Sequence, residues 1–117
     1  MTLTTTLKNT LLQQINTAAS SGYMRFYDGS SVLLAEDRFG STAFATPSGG
    51  SMTANSISAA GAVSAGTITS AKMLQSDGVT EIATLTVGIG TGDVQLSRLD
   101  IRVGEPVQVS TCTLSIS

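Results

Sequence analysis

The sequence predicts an all-β domain, an antiparallel sandwich or barrel, preceded by one short α-helix. Three observations carry this. Residues 66–117 break into short apolar-polar runs punctuated by glycine or polar residues, the spacing of an antiparallel β-fold. Within that stretch Thr67–Gln75 and Glu81–Val87 flank Ser76-Asp77-Gly78-Val79-Thr80. Asp-Gly favours a hairpin there, since both residues tolerate a positive φ and Gly78 has no Cβ to clash. Only one segment, Thr4–Ser20, repeats its apolar residues at helical spacing.

Length and composition bound the rest. At 117 residues the chain forms a single domain, 1–117, long enough to bury about two-thirds of its unfolded surface. It has no Trp, three Phe and two Tyr, so its core is built from small and aliphatic side chains. Aromatic residues carry the largest apolar areas, so oligomerisation or docking on a partner is expected to supply part of the stability. An independent domain with an aliphatic core is the alternative. The net charge is −2 and the six basic residues are scattered, which gives nucleic acid little to hold. Cys112, the single cysteine, has no partner for an internal disulfide. It reads as a small buried hydrophobe, with a reactive or intermolecular thiol as the alternative. The N-terminus lacks the charged region and apolar block of a signal peptide. No run approaches the ~20 apolar residues of a membrane span, so the expectation is a soluble protein with no membrane partner.

In chain order, the helix comes first, over about 4–20. Leu3, Leu7, Leu11, Leu12 and Ile15 form one stripe beside Lys8, Asn9, Gln13 and Gln14. Thr4, Thr5 or Thr6 caps its start, and Gly22 suits the left-handed position after its end. The helix either packs on the sheet or docks as an arm on a neighbouring subunit. Tyr23–Tyr27 is a strand with Tyr23, Arg25 and Tyr27 on one face and Met24 and Phe26 on the other. Asp28-Gly29-Ser30-Ser31 turns the chain, and Val32–Ala35 runs to Glu36-Asp37-Arg38, the densest charge cluster. That cluster is expected as a solvated loop tip or a salt-bridging contact to a partner.

From Gly40 to Gly66 the chain is rich in Ser, Thr, Ala and Gly, with Phe39 and Phe44 as its large anchors. Pro47-Ser48-Gly49-Gly50 is a turn or loop. Ser51–Ile57 is a possible short strand with Met52, Ala54 and Ser56 on one face. Part of 45–66 is expected to be poorly ordered unless an assembly partner covers it. Asp93–Leu96, Leu99–Val103 and Pro106–Ile116 complete the strands. In the last, Val107 and Val109 alternate with one parity and Cys112, Leu114 and Ile116 with the other. One residue must therefore be absorbed near Ser110-Thr111, by a β-bulge or a crossing between sheets. Pro106 suits the strand start, where its missing N–H costs least.

Catalysis finds no footing. Histidine is absent, which excludes Ser-His-Asp and Cys-His arrangements and, with one cysteine, a structural zinc site. Asp28 and Asp77 are accounted for by their Asp-Gly turns, and nothing groups Asp37, Asp93, Asp100, Glu36, Glu81 and Glu105. Gly88-Ile89-Gly90-Thr91-Gly92-Asp93 lacks the lysine and hydroxyl of a phosphate loop, and no helix pattern follows it. It reads as a strand-to-strand turn; a dedicated calcium loop is likewise absent. The chain is expected to be no enzyme and to need no cofactor.

Three segments together carry a resemblance. Leu7-Lys8-Asn9-Thr10-Leu11-Leu12-Gln13-Gln14-Ile15-Asn16-Thr17-Ala18 leads through Gly22 to Tyr27-Asp28-Gly29. Then come Gly66-Thr67-Ile68-Thr69-Ser70-Ala71-Lys72-Met73-Leu74-Gln75-Ser76-Asp77-Gly78 and Val103-Gly104-Glu105-Pro106-Val107-Gln108-Val109-Ser110. In this order the chain resembles the small tailed-phage capsid decoration or cement proteins, over roughly 7–29 and 66–117 and weakly across 30–65. It departs from their pattern in having few aromatics in its hairpin and a small-residue middle.

The resemblance implies a jelly-roll-like antiparallel β-sandwich over about 23–117, bound to the outer surface of the virion's capsid. It implies a structural partner for the major capsid protein that braces contacts between capsomers, often as a homo-oligomer, a trimer or a dimer. It carries no catalytic residues. Synthesis in a reducing host cytoplasm suits a cysteine-poor β-domain, and many copies on a lattice bind with avidity. Leu7, Leu11 and Ile15 on the helix, with Glu36, Asp37 and Arg38, are the expected contacts to the capsid or a neighbouring copy. The competing expectations are a tail, fibre or head-completion protein, and a carbohydrate- or surface-binding module using Tyr23 and Tyr27.

Overall fold

The computed structural model describes residues 2–116; the terminal positions of the expected 1–117 domain lie outside the described residues. Helix α1 spans Thr5–Ala19 and starts where expected, with the Thr4 hydroxyl accepting from the Leu7 N–H at 3.2 Å. Its end differs from expectation. Ser21, not Gly22, takes the left-handed conformation, with φ +59°. Gly22 is required for a steric reason, because a Cβ there would stand 2.1 Å from the Leu74 carbonyl oxygen. The face it buries is also rotated from the expected stripe. Leu12, Asn16 and Ala19 are buried and Ile15 packs partly against them, while Leu7 and Leu11 stay exposed.

Ten strands follow: β1 (Tyr23–Tyr27), β2 (Leu33–Phe39), β3 (Ser51–Thr53), β4 (Ile57–Ser58), β5 (Gly66–Thr67), β6 (Ser70–Leu74), β7 (Glu81–Gly88), β8 (Val94–Leu96), β9 (Asp100–Ile101) and β10 (Val109–Ser115). The fold is mostly β, as expected. Eight strands form one sheet in the order β3-β10-β8-β7-β6-β1-β2-β4, and β5 pairs with β9 as a separate ribbon. Strict antiparallel pairing does not hold. β7 and β8 are parallel, Val87 opposite Val94 and Gly88 opposite Gln95. Parallel neighbours ordinarily need a long crossover; here the 89–93 loop coils back on itself. Gly90 and Gly92 take positive φ in that coil. Thr86 and Asp93 lock it with reciprocal bonds, Thr86 N–H to Asp93 Oδ2 at 3.2 Å and Asp93 N–H to Thr86 Oγ1 at 2.9 Å.

The β6–β7 hairpin forms as expected, but of the turn pair only Gly78 has positive φ. Asp77 acts through its side chain instead. It accepts from the Val79 and Thr80 N–H groups and the Thr80 hydroxyl, which holds its carboxyl below the usual range. In β10 the pairing with β8 slips between Val109 and Thr111, the expected bulge, and Val107, Cys112 and Leu114 are buried on either side of it.

The sheet curls, and one segment joins its two ends. β3 and β4 are the outermost strands of the order, yet only Ala54-Asn55-Ser56 separates them, a reach of about 14 Å at most. The expected Ser51–Ile57 strand is thus split. Its first part pairs with β10, and β4 pairs with β2. Beyond β4 the chain returns to the β10 side, where Val107 N–H donates to the Ala60 carbonyl at 3.3 Å and Gly61 bridges Pro106. Between the Ala54–Cys112 and Ala60–Val107 contacts the two chains separate around a cleft of about 280 Å³, lined by Ala54–Ile57 and Gln108–Cys112. This is the seam of the curl. Inside lie Phe26, Phe44, Leu12, Met24, Leu34, Ile68, Met73 and Val94, all essentially inaccessible.

Candidate interaction surfaces

The outer face of β2, β1, β6 and β7 groups Arg25, Glu36, Arg38, Lys72 and Glu81, five of the fourteen charged residues. Period-two alternation sends Tyr23, Arg25 and Tyr27 outward and Met24 and Phe26 inward. Register then sets the partners. Arg25 lies opposite Glu36 on one side and Lys72 on the other. The like charges do not face each other unrelieved: Arg25 pairs with Glu36 and donates to the Gly78 carbonyl at 2.8 Å, while Lys72 reaches Glu81 at 3.1 Å. The Glu36 contact raises the Arg25 guanidinium further above its ordinary value. Arg38 sits 5.0 Å from the Tyr23 ring centroid and Lys72 5.5 Å from that of Tyr27. Both tyrosines share one face, as expected, and each carries a cation against its ring.

Glu36-Asp37-Arg38 is not a loop tip. All three residues lie within β2, so alternation turns the middle one inward. Glu36 and Arg38 reach the outer face. Asp37 is 0% exposed and cannot touch a partner in this fold. Its Oδ1 accepts from the Ala60 N–H at 3.0 Å, and its Oδ2 has no partner among the described residues. Burial pushes this carboxyl up to about 7 against the opposing effect of the Ala60 N–H. The signal was present in the sequence, since Ala35, Asp37 and Phe39 share one parity.

On the helix, Leu7 and Leu11 are 43% and 40% exposed and sit one turn apart, forming an uncovered apolar pair. Ile15 is partly buried against the core. What fixes the helix is a polar residue that periodicity did not reveal. Asn16 is buried, and its side chain donates to the Phe44 carbonyl at 3.1 Å and accepts the Phe44 N–H at 2.9 Å. Asn9 adds a second tether by accepting the Gly50 N–H at 2.9 Å. The six expected contact residues therefore do not form one site. Leu7 and Leu11 lie on the first half of α1, Glu36 and Arg38 on β2, and Ile15 and Asp37 face inward.

The one thiol is shielded. Cys112 is buried, and burial with the nearby Asp93 charge pushes its thiol up to about 12, far from a nucleophile's range. Among the described residues no three His, Cys, Asp or Glu side chains gather as a metal site, and no helix is long and apolar enough to cross a membrane. No protein-family model, curated protein or solved structure matches this chain.

Proposed function

We propose that this chain is a structural virion protein that binds the outer surface of a phage capsid and cements contacts between major capsid protein subunits. The observation that carries the proposal is the Leu7–Leu11 pair, left exposed on a helix otherwise tied down through Asn16 and Leu12. An apolar pair held on a rigid element suits a protein surface, because little ordering entropy remains to be lost on docking. The sequence resemblance supplies the partner. In this reading the two halves of the curled sheet serve as the layers of a jelly-roll-like sandwich. The protein acts as a dimer or trimer, on the virion exterior, after synthesis in the host cytoplasm.

The test is the copy number on purified virions, by densitometry and mass spectrometry, for the parent and a Leu7→Ser/Leu11→Ser double variant. A parent copy number close to that of the shell subunit, with strongly reduced occupancy for a folded double variant, is the expected result. A few copies copurifying with tails, or unchanged occupancy of the variant, would overturn it.

A further inference from the structure

Asp37 sits where the curl of the sheet closes. It belongs to β2, whose pairing with β4 brings the closing segment alongside at Phe39–Ile57 and Arg38–Ser58. Two residues later Asp37 Oδ1 takes the Ala60 N–H, and Ala60 in turn accepts from Val107 across the seam. One carboxyl thus clips the segment that joins the two ends of the sheet. Its second oxygen is buried without a partner among the described residues, and a buried carboxylate left so is costly.

Among the described residues, no charge offsets that cost. Met24 stands opposite on β1, Ala35 and Phe39 share Asp37's inward face, and Ala60 approaches from the closing segment; none of these ionises. Glu36, Arg38 and Arg25, the nearest charged residues by sequence and register, have their side chains on the other face of the sheet. The other buried ionisable group, Cys112, responds to Asp93.

We propose that Asp37 is a proton-operated latch on the seam: neutral, it lets residues 55–62 seal against 104–112, and ionised, it draws that segment open to water. The weakest path to solvent determines where the structure yields. On the β1 side Asp37 is backed by ladders that run the length of Tyr23–Tyr27. On the seam side β4 is two residues long, the crossing rests on Ala60–Val107 at 3.3 Å and on Ala62 with Glu105 and Gly104 at 2.8 Å, and the cleft at Ala54–Ile57 already separates the two segments. Local opening follows the least-bonded route. Burial lifts the carboxyl to about 7, so the latch would work around neutral pH.

Amide hydrogen exchange by NMR, corrected for intrinsic rates, tests this between about pH 5.5 and about pH 8.5. The Ala60, Ala62 and Val107 amides should lose protection by about tenfold or more at the higher pH, while Met24 and Phe26 amides hold theirs. In Asp37→Asn the pH dependence at the seam should vanish. Equal protection at both pH values, or a loss shared by β1, or the same dependence in Asp37→Asn, would each overturn the latch. Should that variant fail to fold, the ¹³C titration of the Asp37 carboxyl in the parent chain decides. Its midpoint must coincide with the change at the Ala60 amide, and a separate midpoint sinks the proposal.

Discussion

Along the wall formed by β2, β1, β6 and β7, each strand is paired along most of its length. Along the seam, β4 offers two residues and the return to β10 rests on a few backbone bonds. The wall places Met24, Phe26, Met73 and Leu85 inward and, apart from Asp37 where β2 meets the seam, keeps its charges outside. The seam differs: its closing segment, 54–62, is Ser, Ala and Gly apart from Asn55 and Ile57, and an acid turned inward anchors it at Ala60. Large side chains stabilise through area removed from water, at about 25 cal/mol per Å²; small ones permit close passage and contribute little of it. The wall should therefore carry stability and the seam should carry movement.

Breaking the wall should produce the largest effect. Phe26 is fully buried at its centre, and Phe26→Ala should cost roughly 3–5 kcal/mol from lost transfer energy and the cavity left behind. The measurement is the urea midpoint, with the slope unchanged. A loss below ~1 kcal/mol would place the stability elsewhere and remove the contrast.

At the seam the expected effect is smaller and depends on pH. The Asp37 carboxyl has a folded value near 7, against ~3.9 in an unfolded chain. Between those values the unfolded state has given up its proton and the folded state has not, so folding becomes less favourable as pH rises. The stability present below about pH 4 is lost progressively up to about pH 7 and then levels off, a total on the order of 4 kcal/mol. Asp37→Asn should flatten this curve, matching the parent near pH 4 and exceeding it near pH 8. Parallel curves for parent and variant would show that another group sets the pH dependence.

The same contrast explains what the sequence disclosed. The wall obeys short-range rules: alternation in Tyr23–Tyr27 and Gly78 in the hairpin turn were legible because each is set by neighbours in the chain, as was the parity change in β10 at the seam's own edge. The closing segment of the seam obeys long-range ones. Nothing within Gly40–Gly66 reveals that one stretch serves both ends of a sheet, since β3 and β4 take their partners from β10 and β2. The parallel β7–β8 pair was missed because a glycine-rich loop usually signals reversal. The charge cluster misled for another reason. Three consecutive charged residues suggest a solvated tip, but in a strand their middle member must face inward, and at Asp37 it does. Asn16 escaped notice because an apolar stripe is defined without polar residues, although its amide fastens α1 at Phe44.

The smallest effect belongs to the outer face of the wall. Arg25 and Glu36 are each about a quarter to a third exposed, so their attraction competes with hydration and is screened by salt. Arg25 also keeps a second acceptor, the Gly78 carbonyl at 2.8 Å, when Glu36 is neutralised. Glu36→Gln preserves the side chain's shape and removes only its charge, leaving Arg25 opposite Lys72 with one less acid nearby. The expected loss is ~0–1 kcal/mol at low salt, shrinking further as salt is raised, read from urea midpoints at two ionic strengths. A loss that is large and insensitive to salt would mean that this pair is part of the wall's internal strength. The line between an apolar wall that holds and a polar surface that merely covers it would then have to be redrawn through Arg25.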